Sequence, residues 1–290
     1  MTPMPEFSRW PAPAKLNLFL RITGRRDDGY HFLQTCFQLL DWGDEIEIAV
    51  TDDGSIERES GLADVVPEQD LAVRAAHLLQ DYAVGSAGAR LRVHKSIPPG
   101  TGLGGGSSDA ATVLLVLNEL WNCGLDRDRL AGLGATLGAD VPVFVQGYSA
   151  WAEGIGERLT AVELGERHYV LVFPNVQVST AELFVAPELK RDSRLLDRDA
   201  FDPGASDPGW AGNAFEPLVR ARYPVIDEAM RELQSFGHPR LTGTGSCIFL
   251  PVEDKLCADA ITRRLECRYN VRSVAGIDRS PVLDERYDGC

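Results

Sequence analysis

Alternation of apolar and polar side chains predicts strands throughout the first fifty residues. Over residues 11–23, Leu16, Leu18, Leu20 and Ile22 share one face, with Lys15, Asn17, Phe19 and Arg21 on the other. That is the period of two a strand requires. Pro11 and Pro13 fix the entry to this strand, and Phe19 beside Lys15 and Asn17 predicts a lined pocket rather than a wetted face. A polar loop over 24–31 ends in Tyr30-His31. Phe32 to Leu40 reads as a second strand, Trp42-Gly43-Asp44 as a turn, and Glu45 to Val50 as a third strand. Residues 51–66 are acidic and polar and read as a hairpin or loop. Arg90 to Ile97 reads as a further strand.

The spacing changes to a helical one at Leu71, Ala75, Leu78 and Leu79, predicting a helix over 70–82. The apolar run 110–117 predicts a buried helix over 104–122. A third helix follows from Asp126, its cap, to Leu137, and Gly138 stops it. Ala150 to Leu159 reads as a strand and turn. In the second half, Tyr169 to Pro174 is a buried strand. Helices are expected over 213–219, 225–236 and 255–267. A β run follows Leu241, and the last strand lies within 268–276. Residues 187–212 are rich in Asp, Arg, Pro and Gly without periodicity, and read as a mobile loop.

Composition narrows the classes. The 290 residues have room for one large or two ordinary domains. A net charge of −14 argues against nucleic acid as a partner. It leaves open a small anionic ligand held by local N–H groups and a few lysines. No run of about 18 apolar residues predicts a membrane span. Met1 to Pro13 lacks the basic stretch and apolar core of a signal peptide. The six cysteines form no C-x-x-C pair, so reduced thiols and a cytoplasmic location are expected, and no zinc site.

The chemistry centres on residues 98–111, where Gly100, Gly102, Gly104, Gly105 and Gly106 run straight into the apolar helix. Glycine reaches φ > 0 freely, and a helix N-terminus offers free N–H groups and a positive dipole end suited to phosphate. The stretch is not a Walker A loop, because Gly106 stands where its lysine must be. Nor is it a dinucleotide fingerprint, because Pro98-Pro99 interrupts the approach and the acidic residue falls at Glu119 inside the helix. Protein-kinase motifs are absent.

What remains, P-x-x-G-L-G-G-G-S-S opening a helix, resembles the GHMP kinases, the family of galactose, homoserine, mevalonate and phosphomevalonate kinases. The block from Pro11 to Ile48, with its P-A-K-L-N-L-F-L and D-G-Y-H pieces, resembles the members acting on a cytidine diphosphate conjugate of methylerythritol. Gly138-Ala139-Asp140-Val141-Pro142-Val143-Phe144 is similar to the family's third signature. Gly154-Ile155-Gly156-Glu157 and Gly243-Thr244-Gly245-Ser246 are similar to further segments, the last being a second glycine loop facing the first across the cleft.

The resemblance implies an α+β, two-domain GHMP kinase fold. A ribosomal-protein-S5-like domain would span 1–164 and a ferredoxin-like domain 165–290, with the site in the cleft between them. It implies ATP as co-substrate, with Mg²⁺. Lys95, Pro98, Pro99, Gly100, Thr101, Gly102, Leu103, Gly104, Gly105, Gly106, Ser107 and Ser108 would bind the ATP. The two serine hydroxyls would lie near the metal, with Ser107 as its ligand. Lys95 read from the strand alone is equally an exposed lysine. Where the family usually begins a helix with asparagine near the adenine, Asp70 stands here.

Asp140, set in an apolar run, has two readings: a cap or turn residue, or a base that takes the proton of an acceptor alcohol. The resemblance favours the second, with Lys15 beside it stabilising the developing alkoxide. It also implies that Asn17, Tyr30, His31 and Thr180 hold the small-molecule substrate. A tyrosine and an imidazole opposite Lys15 suit stacking on a base and hydrogen bonding to its edge. Monomer and homodimer are both compatible with this reading. Another small-molecule kinase of the family, or a non-catalytic nucleotide binder on the same scaffold, are the alternatives. Asp-Gly-Tyr-His counts against the first, and Lys15 together with Asp140 against the second.

Overall fold

The computed structural model describes residues 6–62, 65–203 and 209–284. Two long strands organise it. β1 (Ser8–Arg25) lies antiparallel on β2 (His31–Thr51), pairing Ser8 with Ile48 at one end and Arg25 with His31 at the other. Among the described residues β1 pairs with no other strand, so Pro11 and Pro13, which carry no N–H, sit on an edge where the missing donor is tolerated. The remaining strands are β3 (Ile56–Ser60), β4 (Gly88–His94), β5 (Ala150–Glu153), β6 (Arg158–Ala161), β7 (Arg167–Phe173), β8 (Arg240–Leu241), β9 (Ile248–Val252) and β10 (Asn270–Ile277). The main path of the sheet runs β3-β4-β2-β10-β7-β9-β8, and the β5–β6 hairpin also joins β2. β10 bridges the halves: Gly276 pairs with Leu40 of β2 and with Arg167 of β7.

Helices α1 (Leu71–Gln80), α2 (Gly105–Leu120), α3 (Arg127–Leu137) and α4 (Val141–Gln146) bury their apolar residues against β1, β2 and β4 in one core, which Val282 from the far end of the chain also enters. Helices α5 (Thr180–Val185), α6 (Glu216–Arg222), α7 (Pro224–Leu233) and α8 (Lys255–Leu265) form a second core on β7 and β9, joined by Leu20 and Ile22 of β1. A third core mixes both halves, bringing Leu16, Leu18 and Phe19 together with Leu171 and Phe249. The caps behave as their residues predict. Asp70 accepts from the Ala72 N–H and is paired with Arg58 at 2.6 Å, while Asp126 accepts from the Arg129 N–H.

Several expectations need correction. Residues 42–44 make no turn, because β2 runs straight through them. Gly43 is required there by close approach: a Cβ on it would stand 2.0 Å from the Ala12 carbonyl oxygen of β1. The face assigned to Phe19 is also wrong. The register slips between Asn17 and Leu20, which breaks the alternation. Phe19 turns into an aromatic cluster with Trp151, Phe201 and Trp210, at centroid distances of 5.2, 5.9 and 6.0 Å. Each such pair adds about 0.5–1.5 kcal/mol to the burial itself.

The polar stretch 51–66 contains edge strand β3, parallel to β4 and concealed by its charged residues. The described parts of 187–212 are tied down rather than loose. Ser193 N–H donates to Ile22 O, Leu196 N–H to Gln34 Oε1, and Trp210 Nε1–H to Asp202 O. Residues 204–208 of that stretch lie outside the described residues.

Candidate active site

The glycine loop takes the shape its composition requires. Gly100, Gly102 and Gly104 have φ of +69°, +76° and +77°, a region glycine alone enters without cost. Gly104 caps α2 without any side-chain hydrogen bond, so the first N–H groups of α2 are left to a ligand. They face a cavity of about 350 Å³, bordered by the loop and by Leu62, Val65, Leu71 and Ile97. Ser107 borders this cavity. Ser108 does not: it is fully buried, and its hydroxyl has no partner.

Lys15 reaches the loop from below. It is among the largest fully buried side chains of the protein, and its ammonium spends three donors on fixed acceptors. Nζ donates to Asn17 Oδ1 at 2.6 Å and to Gly102 O at 2.9 Å, and lies 3.1 Å from Asp140 Oδ2. Its backbone N–H donates to Leu103 O at 3.0 Å. Asp140 precedes α4, makes no capping bond, and is 36% exposed. The apolar run that follows it, Val141 to Val145, is buried, but the carboxylate itself opens toward solvent. Gly138 brings the same segment up to the loop, since a Cβ there would lie 3.6 Å from Ser107 Oγ. The glycine loop thus borders the cavity at the N-terminus of α2 and, through Gly102 O, also holds the Lys15–Asp140 pair.

The second glycine loop does not face the first across a gap; it touches it. A Cβ on Gly102 would lie 2.4 Å from Thr242 O, and one on Gly243 would lie 2.9 Å from Gly102 O. Ser246 and Cys247 N–H donate to Gly100 O and Thr101 O. Thr242 Oγ1 accepts from the Asn17 N–H at 2.9 Å. Thr180 Oγ1 shares a hydrogen bond of 2.7 Å with Thr244 Oγ1, which places it beside this loop.

Lys95 is not an exposed strand lysine. It lies between Asp44 and Asp109, 2.7 Å from Asp109 Oδ2 and in closer contact with Asp44. Burial lowers its ammonium, but the two carboxylates outweigh that and leave it above the ordinary lysine value. Asp44 Oδ1 also accepts the Ser96 and Ile97 N–H groups. Asp109 is pushed up to about 7, chiefly by burial, and its Oδ1 has no partner.

Tyr30 and His31 are not opposite Lys15. The register pairs Lys15 with Leu39 but Arg25 with His31, so they lie at the other end of the hairpin. Tyr30 is 60% exposed. His31 is buried, its ring 5.1 Å from that of Phe184. Arg191 Nε–H donates to His31 Nε2 at 2.8 Å.

The model of the "GHMP kinases N terminal domain" matches residues 70–148 of this chain, and that of "GHMP kinases C terminal" matches residues 185–271. The chain belongs to the GHMP kinase family. This GHMP kinase is 50% identical over 285 residues to the 4-diphosphocytidyl-2-C-methyl-D-erythritol kinase of Xanthomonas oryzae pv. oryzae, covering 98% of this chain and 95% of that one. It is 51% identical over 274 residues to the protein of the same name from Alkalilimnicola ehrlichii, covering 94% and 92%. Among solved structures, a 4-(cytidine 5'-diphospho)-2C-methyl-D-erythritol kinase superposes with a TM-score of 0.81 at 32% identity, covering 93% of this chain and 99% of that one. Methanococcus jannaschii mevalonate kinase, at 16% identity and a TM-score of 0.68 over 96% of this chain and all of that one, shares the two-domain fold.

The GHMP kinase signatures thus converge at the glycine loop, and the structure adds residues that the sequence alone did not single out, some at that loop and some at the His31 end of the hairpin. Asp44, Asp109, Thr242, Phe184 and Arg191 carry no spacing signal of their own. Each acquires its place by long-range packing.

Gly104→Val should destabilise this GHMP kinase as well as weaken ATP. A Cβ there would stand 2.9 Å from the Phe144 ring and 3.2 Å from Lys15 Cε, at a φ a β-branched residue avoids. Strain of this kind costs about 1–3 kcal/mol. A thermal melt with and without ATP checks it; an unchanged melting temperature would show that the loop relaxes around the new side chain.

Proposed function

We propose that the chain transfers the γ-phosphoryl group of ATP to the 2-hydroxyl of 4-diphosphocytidyl-2-C-methyl-D-erythritol, giving the 2-phosphate and ADP. The observation that carries the reading is the contact between the buried ammonium of Lys15 and the partly exposed carboxylate of Asp140, held at the glycine loop through Gly102. Relatives of that name at 50% identity over nearly the whole chain support the substrate.

In this reading Asp140 accepts the proton of the 2-hydroxyl. The freed oxygen attacks the γ-phosphorus, the bond to the β-bridging oxygen breaks, and ADP leaves. Lys15 faces the developing alkoxide with a charge already fixed in place, so no reorganisation is needed at the moment of reaction. Asn17 orients that ammonium through Oδ1, while its Nδ2–H donates to Thr35 Oγ1. The free N–H groups of the glycine loop and of the first turn of α2 hold the β- and γ-phosphates.

Mg²⁺ fits the donor set. The ion takes oxygen ligands and usually keeps several waters beside one or two protein oxygens and the phosphates. Ser107 Oγ, which borders the cavity, would hold it. The metal would neutralise charge on the β- and γ-oxygens. Residues 1–164 and 165–290 serve as the two domains, the first carrying the phosphate loop and the second closing it with residues 242–247.

The separation of Lys15 from Tyr30 and His31 along the hairpin suits an elongated substrate, with a base at one end and the reacting alcohol at the other. Tyr30, His31 and the nearby Phe184 take the cytosine, and Thr180 lines the way between. Tyr30→Ala should raise the KM for the cytidine substrate roughly 5–150-fold and leave the KM for ATP near its original value, since stacking of a base on an aromatic ring is worth about 1–3 kcal/mol. A raised KM for ATP would instead place Tyr30 at the donor nucleotide. The reading as a whole is tested by incubating the protein with ATP, Mg²⁺ and the diphosphocytidyl substrate. A product heavier by one phosphoryl group is expected, and its absence with an active positive control would overturn it.

A further inference from the structure

Arg191 is the residue whose bonds decide more than its own position. It follows α5, and its guanidinium is pinned by three backbone carbonyls. Nη1 donates to Leu189 O, and Nη2 donates to both Phe184 O and Ala186 O, each at 2.9 Å. Two of these acceptors lie at the C-terminal end of α5, where helix carbonyls lack partners of their own. A fourth donor, Nε–H, points at His31 Nε2 at 2.8 Å. An arginine can only donate, and it stays charged at any pH a protein survives. His31 Nε2 must therefore carry a lone pair, and the one ring proton of the neutral imidazole sits on Nδ1. The imidazolium, a donor at both nitrogens, is incompatible with this contact.

Nδ1 has no hydrogen-bond partner among the described residues, and it is not among the sealed polar atoms that lack one. The open donor thus lies beside the Phe184 ring and one residue from the exposed Tyr30. We propose that Arg191 is a positioning residue that fixes His31 as the Nδ1–H tautomer, and that this makes the site select cytosine over uracil. The inference rests on the substrate reading above. At N3, cytosine presents an acceptor and uracil an N–H donor, so a fixed Nδ1–H is satisfied by the first base and opposed by the second. Burial in the first place, then the charges of Arg191 and Arg25, holds the His31 pKa below the ordinary histidine value, which keeps the ring neutral.

Two measurements test this. Nitrogen-15 spectra of the histidines, with His31 assigned by the signals lost in His31→Asn, should show a protonated Nδ1 and an unprotonated Nε2 at pH 7. An Nε2–H tautomer or an imidazolium overturns the proposal, and because the tautomer is read on the unmodified protein it does not depend on whether Arg191→Met folds. Calorimetry should show CDP binding roughly 5–150-fold more tightly than UDP, the usual consequence of leaving a buried donor unmatched. In Arg191→Met, His31 should drift to the Nε2–H tautomer, with the preference falling to about threefold or less. A folded Arg191→Met that keeps both tautomer and preference overturns the role of Arg191. Failure of the unmodified protein to bind CDP at all would overturn the substrate reading and the selectivity built on it, while the nitrogen shifts would still decide the tautomer.

Discussion

Asp140→Asn is expected to lower kcat by about 10²–10⁴, the range for loss of a positioned general base, with ATP affinity and melting temperature near their original values. The amide keeps the shape of the carboxylate and can still accept from Lys15, but it cannot take a proton from the acceptor alcohol. The fold has little stake in the exchange. Asp140 stands at the N-cap of α4 but its side chain makes no capping bond and is partly exposed, so its pairing with Lys15 is open to water on one side. Steady-state kinetics with both substrates, beside a thermal melt, separates the cases. Turnover close to that of the unmodified protein would make Asp140 a structural residue and remove the proposed proton acceptor.

Lys15→Met should have the broader effect. Methionine fills most of the space of the lysine stem but leaves Asn17 Oδ1, Gly102 O and Asp140 without their common donor. Loss of one preorganised charge-stabilising donor typically lowers kcat by about 10²–10³. Each buried acceptor left unpaired costs a further 1–3 kcal/mol or so of stability. A melting point several degrees lower is expected, at about 2–4 °C per kcal/mol for a large domain. Because Lys15 and Asp140 act on the same oxygen, the rate losses of the two substitutions should not add. The double variant should be about as slow as the slower single one. A kcat within about threefold of the original in Lys15→Met, or fully additive losses in the pair, would show that the two side chains do not work as a unit.

Much of this was legible in the chain itself, because it depends on local physics. The glycines at 100, 102 and 104 can only mean positive φ or close approach. The apolar run after them can only be a buried helix, and together they define a phosphate-binding helix N-terminus. Asp126 with Gly138 bounds α3, and the alternation in β1 and β2 and the apolar run of β7 appear without reference to any neighbour. The family signatures sit at these same local features.

What the tertiary structure decided is which distant groups meet. Lys15 and Asp140 are brought together across more than a hundred residues by β1 passing beneath the glycine loop, and Thr242 closes on Asn17 from still farther along the chain. A register slip after Asn17 moved Phe19 into the core, which no count of alternating residues reveals, because a period of two carries no record of a bulge. The uninterrupted course of β2 through Gly43 depended on the backbone of β1 passing close above it. Lys95 became a clamped cation because Asp44 and Asp109 arrive from a strand and a helix on either side. Arg191 acquired its hold on His31 by closing the end of α5. Spacing along a chain records which side chains share a face of one element; pairing between elements is set by packing and sheet register, and these decide the charges that surround each reactive group.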